Sequence, residues 1–266
     1  MNEPGKPLNG RVAVVTGVSR RIGIGYAIAR RLAQDGAAVV AHHWSPHDAG
    51  QPWGADPLGG EGVVEALRGE VPDARIIEVA ADFVHPAAPF TVMDAAREAF
   101  GHVDILVANH ARSSGQSLAT LTAAEVDLTM AVNVRATLLL AQRFAAQHDD
   151  DRQGGRIVWF TSGQHIGPMP DELPYIASKA ALHELTVSVA ADLAPRRITV
   201  NCLNPGPTDT GYADEATRRK LADRHPQGRW SDPDDAARLI AWLCSDEARW
   251  VTGQTIVSDG GAWWSP

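Results

Sequence analysis

The chain has 266 residues, 44% hydrophobic and 21% charged, and its 24 basic and 32 acidic side chains give a formal charge of −8. That length can bury a large core without covalent staples, and the two cysteines, Cys202 and Cys244, exclude a disulfide framework, show no metal-ligand spacing and fit a reducing compartment. The acidic balance argues against a global basic field for nucleic acid, no apolar run approaches the ~18 residues of a spanning helix, and Met1–Pro7 lack the hydrophobic region of a signal peptide, so a cytoplasmic protein without nucleic-acid or membrane partners is expected.

Strand and helix signals alternate along the chain. Val12–Val15 is a short apolar run suited to burial on both faces of a parallel sheet. Residues 23–35 place Ile24, Ala27, Ile28 and Leu32 at helical spacing and stop at Gly36. Ala37–Ala41 reads as a second strand. Residues 44–62 hold five Gly and three Pro and read as loop or irregular insertion, followed by a short helix around 63–69. Ile76–Ala80 is a third strand, 87–100 a helix, and Ile105–Ala108 a fourth strand. Residues 122–147 form one long helix or two in tandem, and Asp149–Asp151 sit in a solvated turn. Arg156–Phe160 is a fifth strand, Pro174–Leu193 a long helix and Ile198–Leu203 a sixth strand. The segment 207–231 is polar and rich in turn formers; a helix over 233–245 and a strand at Thr255–Val257 follow. Seven strands interleaved with helices predict an α/β fold, a single doubly wound, Rossmann-type domain over 1–266 with a seven-stranded parallel sheet. Ligands of such sheets bind outside the carboxyl ends of the strands.

The first strand runs into Thr16-Gly17-Val18-Ser19-Arg20-Arg21-Ile22-Gly23-Ile24-Gly25, and a helix follows at once. Glycines let backbone approach a pyrophosphate, and a helix N-terminus supplies amide donors and the positive end of a dipole. The spacing is not G-x-G-x-x-G, and such turns also serve packing. An NAD site usually carries an acid after the second strand to hold the ribose hydroxyls. Here that strand ends Ala41-His42-His43-Trp44-Ser45, without an acid, while Arg20 and Arg21 are placed to pair with a 2′-phosphate. NADP(H) is therefore favoured over NAD(H).

The strongest chemical signal is Tyr175-Ile176-Ala177-Ser178-Lys179 at a helix start. Residues i and i+4 share a face, so phenol and ammonium point into one space, and a neighbouring cation is expected to lower a phenol pKa that starts near ~10. Such a tyrosine can exchange a proton with an alcohol or carbonyl oxygen. Ser162, just past the fifth strand, can hydrogen-bond the same oxygen. A lone Tyr-x-x-x-Lys would more simply be an amphipathic helix face; the glycine loop and the strand-end serine weaken that reading.

Together these residues resemble the short-chain dehydrogenase/reductase family, from about Leu8 to Gly261. The matching pieces are Thr16-Gly17…Gly23-Ile24-Gly25, Asp82, Ala108-Asn109-His110-Ala111, Asn133, Ser162, Tyr175, Lys179, Asn204-Pro205-Gly206-Pro207-Thr208-Asp209-Thr210 and Gly253-Gln254…Asp259-Gly260-Gly261. The resemblance implies that Tyr175 is the general acid/base, that Lys179 tunes its pKa and holds the nicotinamide ribose, that Ser162 orients the substrate oxygen, and that Asn133 helps hold a relay water behind Lys179. It implies a cofactor site in which Gly17, Ser19, Arg20, Arg21, Gly23 and Ile24 surround the phosphates. Asp82 contacts the adenine with Phe83 beside it, Asn109, His110 and Ala111 pass beneath the ribose, and Pro205, Gly206 and Thr208 follow the nicotinamide.

Three departures qualify this pattern. The glycine loop is two residues longer than usual and resembles that of enoyl-acyl-carrier reductases, but those enzymes place tyrosine seven positions before lysine, and position 182 here is Leu182. The usual Asn-Asn-Ala-Gly appears as Ala108-Asn109-His110-Ala111, so His110 either faces the cleft or packs at the strand end. Substrate recognition falls to Gln164, His165, Ile166, Pro168, Met169 and Trp230, in loops whose residues do not specify a substrate. The expected activity is interconversion of a small-molecule carbonyl and a secondary alcohol, with a 3-oxoacyl thioester as the default substrate. The alternative is a catalytically silent NADP(H)-binding sensor or scaffold. The resemblance implies a homo-oligomer, by family habit a homotetramer, to which Trp263 and Trp264 would contribute packing or subunit contacts.

Overall fold

The computed structural model of the protein describes residues 6–152 and 154–262. The strands β1 (Val12–Thr16), β2 (Ala38–His43), β3 (Ile76–Ala80), β4 (Ile105–Ala108), β5 (Arg156–Phe160), β6 (Thr199–Asn204) and β7 (Thr255–Val257) form one seven-stranded sheet in the order β3-β2-β1-β4-β5-β6-β7. Every pairing is parallel. The chain winds outward from β1 to β3, then returns to lay β4 on the other side of β1. The carboxyl ends of β1 and β4 therefore flank the topological switch, where ligands of such sheets bind.

The apolar runs are strands because both faces of the sheet are covered. Along β1, β2 and β4 alternate side chains face opposite layers. Val15, Val39 and Val107 pack with Ile28 and Leu32 of α1 (Ile24–Gln34) and Ile240 of α9 (Pro233–Cys244). Val14, Val40 and Leu106 pack with Met93 of α4 (Ala88–Phe100), Phe144 of α6 (Ala136–Gln147) and Leu182 of α7 (Leu173–Leu193). Each fully buried side chain of this kind contributes about 1.5–3 kcal/mol of transfer free energy. At the opposite end of the sheet from the switch, the fully buried Asp104 carboxylate accepts from Val12 N–H at 2.8 Å and from Arg152 Nε at 2.9 Å, which ties the starts of β1 and β4 together. Cys202 and Cys244 are buried free thiols. Among the described residues no helix is long and apolar enough to cross a membrane.

Two segments differ from the sequence expectation, and a third, expected as one helix or two in tandem, is resolved into two. The 44–62 stretch is not only loop: it contains α2 (Ser45–Ala49), and α3 (Gly59–Glu70) starts four residues before the expected 63, carried by burial of Val63, Val64 and Leu67. The 122–147 run is two helices, α5 (Ala123–Met130) and α6, joined by a π-helical turn at Ala131–Arg135 that holds Asn133. The polar segment 207–231 contains α8 (Glu215–Arg224), capped by the Asp214 carboxylate accepting from Thr217 N–H at 2.8 Å. Trp263 and Trp264 lie outside the described residues.

Candidate active site

The glycine loop leaves β1 under tight steric control. Gly17 has φ +78°, and a Cβ there would stand 2.8 Å from Asn109 Nδ2. In the first turn of α1, a Cβ on Gly25 would enter the van der Waals shell of the Gly17 carbonyl oxygen and stand 2.7 Å from Asn109 Nδ2. Only glycine allows this approach of loop to helix. Gly23 caps α1 without a side-chain hydrogen bond and no acid occupies the first turn, so the leading amides of the helix are left for an anion.

Thr16 knots this loop to the end of β4. Its hydroxyl oxygen accepts from Asn109 N–H at 3.0 Å and His110 N–H at 3.2 Å, and lies 2.7 Å from His110 Nδ1. Asn109 Nδ2 donates back to the Thr16 carbonyl at 3.0 Å. The other His110 nitrogen, Nε2, sits 3.0 Å from the Val132 carbonyl. That carbonyl can only accept, so Nε2 carries the proton and Nδ1 accepts from Thr16. Burial and the nearby His42 hold His110 well below the ordinary imidazole range. His110 is thus a packed, neutral histidine whose ring nitrogens are both committed, and it still borders the cleft.

His42, at the end of β2, is a second buried imidazole. Its Nδ1 accepts from Gly17 N–H at 3.3 Å and its Nε2 lies 2.9 Å from the Ala81 carbonyl. It stacks on Phe83 at 4.1 Å, and Phe83 meets His110 edge-on at 4.4 Å. Burial pulls the His42 pKa down to about 4. The position where an acid would hold ribose hydroxyls is therefore taken by a neutral ring that supports the glycine loop from below.

On the other side of the switch, β5 delivers Ser162 and α7 delivers Tyr175 and Lys179. The Tyr175 phenol hydrogen-bonds the Ser162 hydroxyl. Lys179 Nζ donates to the Phe160 carbonyl at 3.1 Å and lies 5.6 Å from the Tyr175 ring centroid. Lys179 is not among the neighbours that shift the Tyr175 pKa. Burial pushes the phenol up to about 12, against the lowering pull of Ser162, with Glu172 and Tyr212 adding to the rise. Burial also brings Lys179 down to about 8. Desolvation favours the neutral form of each group and is the largest cause of both shifts.

One cavity of about 1080 Å³ joins these parts. Gly17, Ser19, Arg20, Gly23 and Ile24 line it from the glycine loop; Asp82 and Phe83 line the β3 end; Asn109, His110 and Ala111 line the β4 end. Ser162, Tyr175 and Lys179 line it from β5 and α7, and Pro205, Gly206 and Thr208 from the loop after β6. Two expected site residues do not line the cavity. Arg21 is exposed outside the lining, where its side chain forks onto Asp56 (Nε–Oδ2 3.0 Å, Nη2–Oδ1 3.1 Å) and its N–H donates to the same carboxylate. Asn133 is fully buried behind the cavity. Its Nδ2 donates to the Arg112 carbonyl at 3.0 Å and to Ser178 Oγ at 2.8 Å, and its Oδ1 accepts from Arg112 N–H at 2.6 Å. With both amide hydrogens used, its side chain staples the loop after β4 to α7.

Among the loop residues expected to meet substrate, Met169 lines the cavity. Gln164 braces the β5 end instead, accepting from Ser162 N–H and donating to Thr161 Oγ1 at 2.8 Å. His165 turns away to stack on His183 at 4.9 Å, and Trp230 backs Tyr212, which itself faces the cavity. Sequence reasoning missed His47 and Trp53 of the 44–58 insertion, Arg112, Glu172 and Tyr212, all on the cavity wall. The paired tryptophans Trp44 and Trp53 in an otherwise turn-rich stretch were the available signal.

A doubly wound sheet with a glycine loop, an uncapped helix start and a Ser–Tyr–Lys set in one cleft defines a dinucleotide-dependent oxidoreductase. A family model described as enoyl-(acyl carrier protein) reductase matches residues 17–262. The oxidoreductase YjdA of Bacillus subtilis (strain 168) is 39% identical over 254 residues, covering 94% of this chain and 96% of its own. A short-chain dehydrogenase from Burkholderia cenocepacia J2315, solved in complex with NADP, is 37% identical with TM-score 0.82, covering 96% of this chain and 99% of that one. A short-chain dehydrogenase/reductase from Serratia marcescens BCRC 10948 is 32% identical with TM-score 0.83, covering 97% and 99%. The chain belongs to the short-chain dehydrogenase/reductase family and is an NAD(P)(H)-dependent oxidoreductase of that type.

Proposed function

We propose that the protein interconverts a carbonyl compound and a secondary alcohol with NADP(H), Tyr175 exchanging the proton on the substrate oxygen. The observation that carries this reading is the convergence of the Tyr175 phenol, the Ser162 hydroxyl and Lys179 on the cavity that the glycine loop opens into. The spacing favours carbonyl over enoyl reduction, because Lys179 reaches the cleft while Leu182 is packed in the core. The bound nicotinamide supplies or takes up the hydride.

The residues of this chain supply the rest. The α1 amides and Gly17 would hold the pyrophosphate, with Arg20 beside them; its Nη2 already reaches across to the Thr210 carbonyl at 2.6 Å. Phe83 and His110 would form the floor under the adenosine. Ser162 and Tyr175 would grip the substrate oxygen from one side, and Lys179, anchored on the Phe160 carbonyl, would fix the ribose. The preference for NADP(H) is supported by the neutral His42 in place of an acid and by the NADP complex of the Burkholderia relative. Arg20 is the basic-pair member on the cavity wall, so it is the one proposed for phosphate. A 3-oxoacyl thioester remains the default substrate class.

Tyr175→Phe keeps the ring and removes the proton carrier. It should lower turnover of any accepted ketone by about 10²–10⁴-fold, with NADPH affinity by fluorescence titration changed less than about threefold. Wild-type rates in this variant would remove Tyr175 from the mechanism. A titration with NADPH and NADH tests the cofactor preference, and tighter NADH binding would refute it.

A further inference from the structure

Beyond Ser162 and Tyr175, the cavity wall includes Ser113–Gly115, Met169, Asp171, Glu172 and Tyr212. The charged side chains on this stretch are Asp171 and Glu172. Glu172 lies three residues before Tyr175, at the cap position of α7, and does not use its side chain to cap that helix. It is half-buried, and it carries neither a side-chain hydrogen bond nor an ion pair among the described residues. Its proximity is felt by the phenols of both Tyr175 and Tyr212, each of which it pushes toward the neutral form.

The cations on the cavity wall do not answer this carboxylate. Arg112 is held bidentately by Glu125 (Nε–Oε1 2.8 Å, Nη2–Oε2 2.9 Å), Lys179 is anchored on the Phe160 carbonyl, and Arg20 on that of Thr210. A partly desolvated carboxylate without a partner is held at a cost in free energy. Tyr212 lines the same cavity and packs against Trp230 at 5.4 Å between ring centroids. An aromatic face beside an unpaired carboxylate is the combination that binds an ammonium group.

We propose that Glu172 is a specificity-determining residue selecting carbonyl and alcohol substrates that carry a positively charged amine on the side of the reacting carbon remote from the cofactor. The inference rests on the reaction proposed above. The ammonium pairs with Glu172 and covers Tyr212, while the substrate oxygen reaches Ser162 and Tyr175. Asp171 adds negative charge at the same mouth.

The test compares 5-(trimethylammonio)pentan-2-one with its uncharged isostere 6,6-dimethylheptan-2-one, using the full-length enzyme with NADPH at pH 8. The quaternary cation keeps its charge at any pH, so only the enzyme's side titrates. The wild type should favour the cation in kcat/KM by about twofold to fivefold, the size expected for one partly exposed ion pair. Glu172→Gln should abolish that ratio, and Glu172→Lys should invert it. An unchanged ratio in Glu172→Gln, with both ketones turned over, overturns the inference. If neither ketone is reduced, that counts against the carbonyl reaction, and the inference is then decided by binding. The cation must quench the tryptophan fluorescence of the NADPH complex at a lower concentration than its isostere, and Glu172→Gln must remove the difference; equal affinities in the wild type overturn it.

Discussion

The Thr16 hydroxyl is where fold and site meet, and its replacement has a predictable cost. Thr16 is fully buried at the end of β1. Its oxygen accepts from the N–H groups of Asn109 and His110 and donates to His110 Nδ1. Thr16→Val preserves the branched shape and removes all three partnerships. Leaving one buried polar group unsatisfied costs about 1–3 kcal/mol. Three such groups around one atom do not add in full, because a small shift of the loop relieves part of the loss; a total of about 3–4 kcal/mol is expected. With an m-value of about 3 kcal/mol/M in urea, the unfolding midpoint should fall by roughly 1 M. Thr16→Ser controls for packing: it keeps the hydroxyl, loses one methyl and should cost about 1 kcal/mol. Circular dichroism across a urea series measures both, and NADPH titration of the folded variants reports the loosened Asn109–Ala111 floor as weaker binding. A valine variant with the wild-type midpoint would show that the knot contributes nothing to stability.

Other outcomes follow from the same geometry. Burial brings the His42 pKa down to about 4 from its ordinary 6.5. The unfolded chain takes up that proton first, so the stabilising contribution is whole above pH 6.5 and drains away as pH falls toward 4, by about 3 kcal/mol. His110 shifts in the same direction. Urea midpoints measured from pH 7.5 to 4.5 should show this loss, and His42→Gln should flatten it; a wild-type midpoint that holds steady through pH 5 contradicts the burial argument. Arg21→Ala and Asp56→Asn should change NADPH and NADH affinities alike, since each breaks the same surface clasp. A selective gain for NADPH in Asp56→Asn would mean that the freed Arg21 reads the 2′-phosphate after all. Gly25→Ala drives a methyl against the Gly17 carbonyl, a backbone atom that cannot swing aside. Overpacking of about 1–3 kcal/mol should appear as roughly 10- to 100-fold weaker NADPH binding with far-UV circular dichroism retained.

The strands were legible because both faces of the sheet are buried, which turns each strand into a continuous apolar run. The same logic explains what was missed. The α8 helix has no buried residue and therefore no apolar period to read; the Asp214 cap and the Arg219–Glu215 pair at 3.1 Å hold it instead. The turn between α5 and α6 is π-helical around Asn133, whose contacts with Arg112 and Ser178 come from a loop and a helix distant in sequence. For the candidate site, spacing sufficed to bring Tyr175, Lys179 and Ser162 into one cavity, but it did not reveal that Asp56, thirty-five residues downstream, holds Arg21 away from it.

The protonation state of the tyrosine–lysine pair is the more instructive difference. An i,i+4 spacing says that phenol and ammonium share a space, and proximity in water would favour phenolate beside ammonium. The cleft removes water from both groups, and each drifts toward its neutral form, Tyr175 to about 12 and Lys179 to about 8. At neutral pH the phenol therefore keeps its proton, which is the form a carbonyl reduction consumes. Ser162 is the neighbour that opposes this drift, since its hydrogen bond lowers the phenol pKa, while Glu172 and Tyr212 reinforce it. An ammonium seated between Glu172 and Tyr212 would offset the carboxylate's field on Tyr175 and ease loss of the proton at the moment of transfer. On this account substrate charge and acid strength are coupled through one side chain, so the group that selects the substrate also adjusts the acid that acts on it.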